Sequence, residues 1–179
     1  GAEMQIAFAT SEEAGGTDRL MAETAGRLTV LGLRLAGAVQ VNSQPARGGR
    51  YHMDLSLLPS GEVIRISQSL GNLAKGCRLD PGAIARAAGL VEAGVAKGAD
   101  VLIVNKFGKH EAEGRGFRDA IARALDLGVP VLVGLAASNR AAFEEFTGGV
   151  AQALAPEPRA LCDWAVRAAR DRPPEAQAS

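Results

Sequence analysis

The chain has 179 residues, 20 Lys and Arg against 20 Asp and Glu, 22 Gly, 34 Ala and a single Trp. This length suits one domain with a core large enough to need no staples. Zero net charge excludes a generally basic nucleic-acid or membrane binder. The longest apolar run, Val129 to Ala137, contains Pro130 and is too short to cross a bilayer.

Residues 4–10 form a short apolar run that ends in the Gly-containing stretch Ser11 to Gly16, which predicts a buried strand entering a loop. Thr17 and Asp18 offer helix-start chemistry. Leu20, Met21, Thr24, Leu28 and Leu31 then recur at helical spacing up to Gly32. A second strand is expected over residues 35–41. Residues 42–50, with Pro45, Gly48 and Gly49, read as a flexible loop. Residues 51–57 and 62–67 flank Pro59-Ser60-Gly61 and predict a β-hairpin.

Asp80-Pro81 marks the next helix start, an N-cap followed by Pro in the first turn. Its apolar face is Ile84, Ala87, Ala88, Val91 and Val95. The continuous apolar run at residues 101–104 predicts a central parallel strand. Residues 105–116 are charged and punctuated by Gly. A helix over Phe117 to Leu125, a buried strand over 129–134, and helices over 141–146 and 158–170 complete the order. The tail 173–179 is expected to be disordered, and Gly1-Ala2-Glu3 before Met4 reads as an expression scar. With no signal peptide visible and no disulfide or metal pattern from Cys77 and Cys162, a cytoplasmic location is expected. The element order predicts a single α/β domain over residues 4–172. Its sheet would be largely parallel, with helices on both faces and an inserted β-hairpin.

Ligands of open parallel sheets sit outside the carboxyl ends of the strands. The first such end, Thr10 to Thr17, has the length and position of a phosphate-binding loop. Thr10 stands for the first Gly, Gly15 holds the second, Gly16 replaces the Lys, and Thr17 keeps the Ser/Thr place. Glu12 and Glu13 add negative charge near the phosphate position, whereas the helix start still offers N–H donors. The loop is either an anion cradle or a plain Gly turn. At the second strand end, Asn105 and Lys106 stand where a hydrolytic enzyme of this kind has its acids. Lys106 offers a cation from another strand for the one missing at Gly16. Lys109, His110, Glu111, Glu113 and Arg115 crowd the same segment. Asn105-Lys106 lacks the Asp of a guanine-reading motif, because Gly108 stands in its place.

The remaining candidates are plainer. His52 and His110 have no ligand-spaced partners. Ser11 and Ser67 lack a Ser/His/Asp arrangement. Cys77 is either activated by Arg78 or inert. Arg47 and Arg50 either reach a ligand or remain solvated.

From Met4 to about Leu154 the chain resembles the small cancer-related and thermophile nucleoside triphosphatases of the P-loop superfamily. The resemblance rests on the loop, the hairpin, Gly76-Cys77-Arg78-Leu79-Asp80 and the segment Asn105 to Glu111. Gly108, Lys109 and Glu111 keep the residues of that family. The P-loop Lys falls on Gly16, and the strand-end Asp and Glu fall on Asn105 and Lys106. More closely, the chain resembles an uncharacterised bacterial domain family of unknown function, a divergent branch associated with molybdenum-related genes. The resemblance implies a P-loop fold with its hydrolytic residues replaced. The expectation is a nucleotide- or oxyanion-binding protein with little or no hydrolysis. Its ligand would be a small anion, either a nucleotide or a molybdate- or tungstate-type oxyanion. Its site would be Thr10, Ser11, Gly15, Gly16 and Thr17 with Asn105, Lys106, Lys109 and Glu111. No metal ligand, catalytic residue, nucleic acid or membrane partner is expected. An active triphosphatase with a rearranged site, and a scaffold acting through protein contacts as a homo-oligomer, are the alternatives.

Overall fold

A computed structural model describes residues 5–43, 51–68 and 79–172. The N-terminal scar, Arg47, Arg50, Cys77 and the tail therefore lie outside the described residues, as does most of the expected loop 42–50.

The chain runs β1 (Ile6–Ala9), α1 (Gly16–Val30), β2 (Leu35–Ser43), β3 (His52–Leu58), β4 (Val63–Arg65), α2 (Pro81–Ala96) and β5 (Val101–Phe107). It continues with α3 (Lys109–Ala112), α4 (Arg118–Asp126), β6 (Val131–Leu135), α5 (Arg140–Thr147), β7 (Gln152–Ala153) and α6 (Pro158–Arg170). The strands form one sheet in the order β4-β3-β2-β5-β6-β1-β7. Pairing is parallel from β2 through β7 and antiparallel for β2–β3 and β3–β4. This is the largely parallel α/β sheet with a hairpin extension that the sequence predicts, consistent with a P-loop NTPase-like fold.

Side chains alternate across the strands and split the core in two. Ile6, Phe8, Leu102, Val104, Val131 and Val133 face α2 and α4 on one side. Ala7, Ala9, Val101, Ile103 and Leu132 face α1 and α6 on the other. Each fully buried Leu, Ile or Val stabilises this two-sided core by about 1.5–3 kcal/mol, so the sheet is a rigid platform for its strand ends. The small residues Ala7 and Ala9 let α1 and α6 approach that face closely. Asp80 caps α2 as expected, its Oδ1 accepting from the N–H groups of Gly82 (3.0 Å) and Ala83 (3.3 Å).

Two elements extend beyond the expected bounds, each for a physical reason. β2 continues to Ser43 because Asn42 and Ser43 pair with Met53 and His52 of β3. β5 continues to Phe107 because Asn105 and Phe107 pair with Gly134 and Leu135 of β6 across a bulge at Lys106. Phe107 is then fully buried and stacks edge-on with Phe143 of α5 at 5.1 Å. The short helix α3 and the two-residue β7 have no counterpart in the sequence reading.

Candidate functional site

The loop from Thr10 to Gly15 leaves β1 and enters α1 through Gly15, whose φ of 68° is left-handed. It closes on itself. The Ser11 N–H donates to Thr17 Oγ1 (3.0 Å), the Glu13 N–H donates to Ser11 Oγ (3.2 Å), and the Gly16 N–H donates to the Glu13 carbonyl (2.9 Å). Thr17 is buried, and with its oxygen accepting from Ser11 it keeps a proton of its own to donate. Thr10 Oγ1 is buried without a hydrogen-bond partner, an acceptor and donor left over at the strand end.

Glycine at position 16 is a steric requirement here. A Cβ built on Gly16 collides with Ser11 Oγ and comes within 2.9 Å of Ser11 Cβ and 3.1 Å of Glu13 Cβ. The loop thus excludes any larger residue at the P-loop lysine place unless Ser11 moves.

Gly134 brings α1 and β5 into reach of one another. It lies in β6, in register with Ala9 of β1 and Asn105 of β5. A Cβ there would lie 2.7 Å from Met21 Cγ and 3.0 Å from Thr17 Cγ2. Its absence lets the first turn of α1 sit directly on β6 and reach across to the end of β5.

At that point Asp18, on the first turn of α1 and buried, receives three donors. Lys106 Nζ lies 3.3 Å from Asp18 Oδ1. The Asn105 amide, set with its nitrogen toward Asp18 Oδ1 (3.2 Å), accepts the Gln40 N–H through its oxygen (2.9 Å). Asn42 Nδ2 donates to Asp18 Oδ2 (3.2 Å). The helix dipole adds its positive end to the same carboxylate. Asn105 is fully buried. Asp18 and Asn42 are the site residues that sequence reading missed. Asp18 read as helix-start chemistry, and the available signal was its sign, opposite to that of Lys106.

The remaining candidates point elsewhere. Lys109 is exposed and pairs with Glu113 at 3.9 Å. Glu111 is buried, and its carboxylate accepts the N–H groups of Gly108 (2.9 Å) and Phe117 (3.0 Å). Burial pushes the Glu111 carboxyl above its usual range, and these two N–H bonds pull it only part of the way back. Glu111 therefore ties the α3 segment to the start of α4, while the two lysines take other partners. His110 lies at a separate groove between α2 and α4. Among the described residues, no three His, Cys, Asp or Glu side chains gather where a metal ion could be held. Nor is any helix long and apolar enough to cross a membrane.

A cavity of about 620 Å³ opens beside the loop, lined by Thr10, Ser11, Glu13, Gly16 and Arg19 on one side and Pro156 on the other. Arg19 lies 3.5 Å from Glu13 and also donates to the Ala14 carbonyl (3.2 Å). The loop thus stands between this cavity and the Asp18 network. Of the loop's polar groups, Thr10 and Ser11 line this cavity beside the carboxylates of Glu12 and Glu13.

A family model described as "Protein of unknown function (DUF2478)" matches residues 6–164. The molybdenum import ATP-binding protein ModC 2 of Bradyrhizobium diazoefficiens is 37% identical over 147 residues, 82% of this chain. That match spans only 16% of the length of the curated relative. No solved structure matches the chain.

Proposed function

The chain belongs to the DUF2478 family of unknown function, and we propose that it binds a phosphate-like oxyanion at the loop Thr10 to Thr17 without hydrolysing it. The observation that carries this reading is the saturation of Asp18 by Lys106, Asn105 and Asn42. Hydrolysis of a nucleoside triphosphate uses a carboxylate on the metal and a group that orients water. Here Asp18 is held by three donors and Glu111 by two backbone N–H groups. Lys106 supplies the cation, and Asn105 fixes the strand end from which it projects. The start of α1, the hydroxyls of Thr10 and Thr17, and the backbone of Gly15 supply the cradle, joined by the N–H groups of Ser11 and Gly16 when an anion replaces their bonds within the loop. Lys109, beside Glu113 at the surface, and Glu111, held by two backbone N–H groups, have other partners in this structure.

The name of the relative, a molybdenum import ATP-binding protein, supplies two candidate ligands: a molybdate-type oxyanion and a nucleotide phosphate. Both present tetrahedrally arranged oxygens to N–H donors. Calorimetric titration with molybdate, tungstate, ATP and GTP tests the reading. Saturable heat that weakens in Thr17→Ala and Lys106→Ala, with folding retained, supports it. Equal affinity in both variants removes the site.

A second reading has one observation in its favour. The loop satisfies its own donors through Ser11, Glu13 and Thr17, as a turn without a ligand would. In that reading the domain works through protein contacts, and no ligand in the series gives heat.

A further inference from the structure

Residues 108–116 leave β5 and return to α4 as one short excursion with a charged outer surface. Lys109 is 85% exposed, and Glu113 pairs with both Lys109 and Arg115. Inward the excursion sends Glu111, which is only 4% exposed. The Glu111 carboxyl group holds both ends together. It accepts from the Gly108 N–H (2.9 Å), where the chain leaves β5, and from the Phe117 N–H (3.0 Å), where α4 begins. Two glycines make the return: Gly114 and Gly116 have left-handed φ of 87° and 61°. A Cβ on Gly116 would collide with Glu111 Oε2 and come within 2.9 Å of Glu111 Cδ. The carboxyl group is therefore seated against bare backbone.

This seat holds a charge poorly. Among the described residues no lysine or arginine forms an ion pair with Glu111. Lys106 of β5 faces Asp18, Arg140 of α5 faces Glu144, and Arg118 of α4 lies over the Phe146 ring. Asp119 of α4 lines the adjoining groove. His110 is the charged neighbour whose field favours the ionised form, and burial opposes that form more strongly. In an opened segment the same group is hydrated and ionises in the ordinary carboxylate range. Closure thus favours the protonated group, and opening the ionised one.

We infer that residues 108–116 form a pH-sensitive flap, latched at Gly108 and Phe117 through Glu111 and released when that carboxyl group ionises. The flap works without a bound anion. His110, Arg115 and Gly116 form one wall of a groove of about 360 Å³, with Ile84, Ala88 and Glu92 of α2 opposite. Release withdraws that wall and opens the groove along α2. The proton is the signal, and the flap is the two-state element that it biases.

The test is amide hydrogen exchange on the full chain, followed by NMR from acid to neutral pH and in low urea, with rates corrected for intrinsic pH dependence. The Gly108 and Phe117 amides are expected to be less protected than those of Leu102 and Val104 in β5. Low urea should leave their exchange unchanged while speeding that of β5, the mark of a local opening. Their protection should fall as pH rises, and in Glu111→Gln it should stay flat over the same range. Exchange of Gly108 and Phe117 with the urea dependence of β5 would show that they open only on global unfolding, and overturns the flap. Protection in the wild type that does not change with pH overturns the latch, even where the variant does not fold. A fall that persists in a folded Glu111→Gln belongs to another group, His110 first, and overturns it as well.

Discussion

Lys106 Nζ lies 3.3 Å from Asp18 Oδ1, an ion pair that joins the bulged end of β5 to the first turn of α1. It exchanges the signs expected of a phosphate-hydrolysing strand end. The helix start carries the acid and the strand carries the base.

Removing the ammonium should expose the value of this pair. Lys106→Met leaves a buried Asp18 with amide donors alone. It is expected to cost about 1–3 kcal/mol, because an uncompensated buried charge is worse than no charge. In urea unfolding, the double variant Asp18→Asn/Lys106→Met should be more stable than the sum of the two single losses implies. Strict additivity would show that the pair does not couple the two elements.

Restoring the missing lysine of the loop should fail. Gly16→Lys forces a Cβ into Ser11 Oγ and is expected to destabilise the fold by about 2 kcal/mol. Gly16→Lys/Ser11→Gly should recover most of that loss in the same denaturation experiment. Equal stability of Gly16→Lys and wild type would show that the loop rearranges freely.

Gly134→Ala tests the close approach of α1 to β6. The added methyl group meets Met21 Cγ at 2.7 Å and Thr17 Cγ2 at 3.0 Å. A stability loss of about 1–3 kcal/mol is expected. Weaker molybdate binding should accompany it, since Thr17 is displaced with the helix. A loss of stability with unchanged affinity would separate Thr17 from the ligand.

Glu111 should shape the pH dependence of stability. Its carboxyl holds a proton to higher pH in the folded chain than in the unfolded one, because burial opposes ionisation. Between those two values the folded state binds more protons, so stability falls as pH rises through the window and is greatest below it. Denaturant unfolding from acid to neutral pH should show the wild type losing stability relative to Glu111→Gln as pH rises. A constant difference across that range would contradict the assignment.

Much of this architecture is written locally in the chain. The run at residues 101–104 is apolar throughout and is a central strand flanked by β2 and β6. Asp80-Pro81 starts a helix because one side chain can satisfy two N–H groups there. The α6 helix occupies the residues its periodicity marks. The contacts of the site are of another kind. Asp18 and Lys106 are far apart in sequence, and Gly134, on an intervening strand, leaves room for the first turn of α1 that carries Asp18. Asn105 looked like part of a charged loop, yet its amide is buried between Asp18 and the Gln40 N–H. Glu111 reads in the sequence as one of a crowd of charged site residues, whereas its carboxylate accepts from the backbone of its own segment. Sign and spacing marked Asn105 and Lys106 as unusual at a strand end where acids are expected. They did not show which groups had closed on one another.

The most direct measurement is phosphate release from ATP with magnesium by the purified wild-type chain, followed beside Glu111→Gln. No release above the buffer rate is expected, with both proteins alike. Saturable, magnesium-dependent release that disappears in a folded Glu111→Gln would contradict binding without hydrolysis.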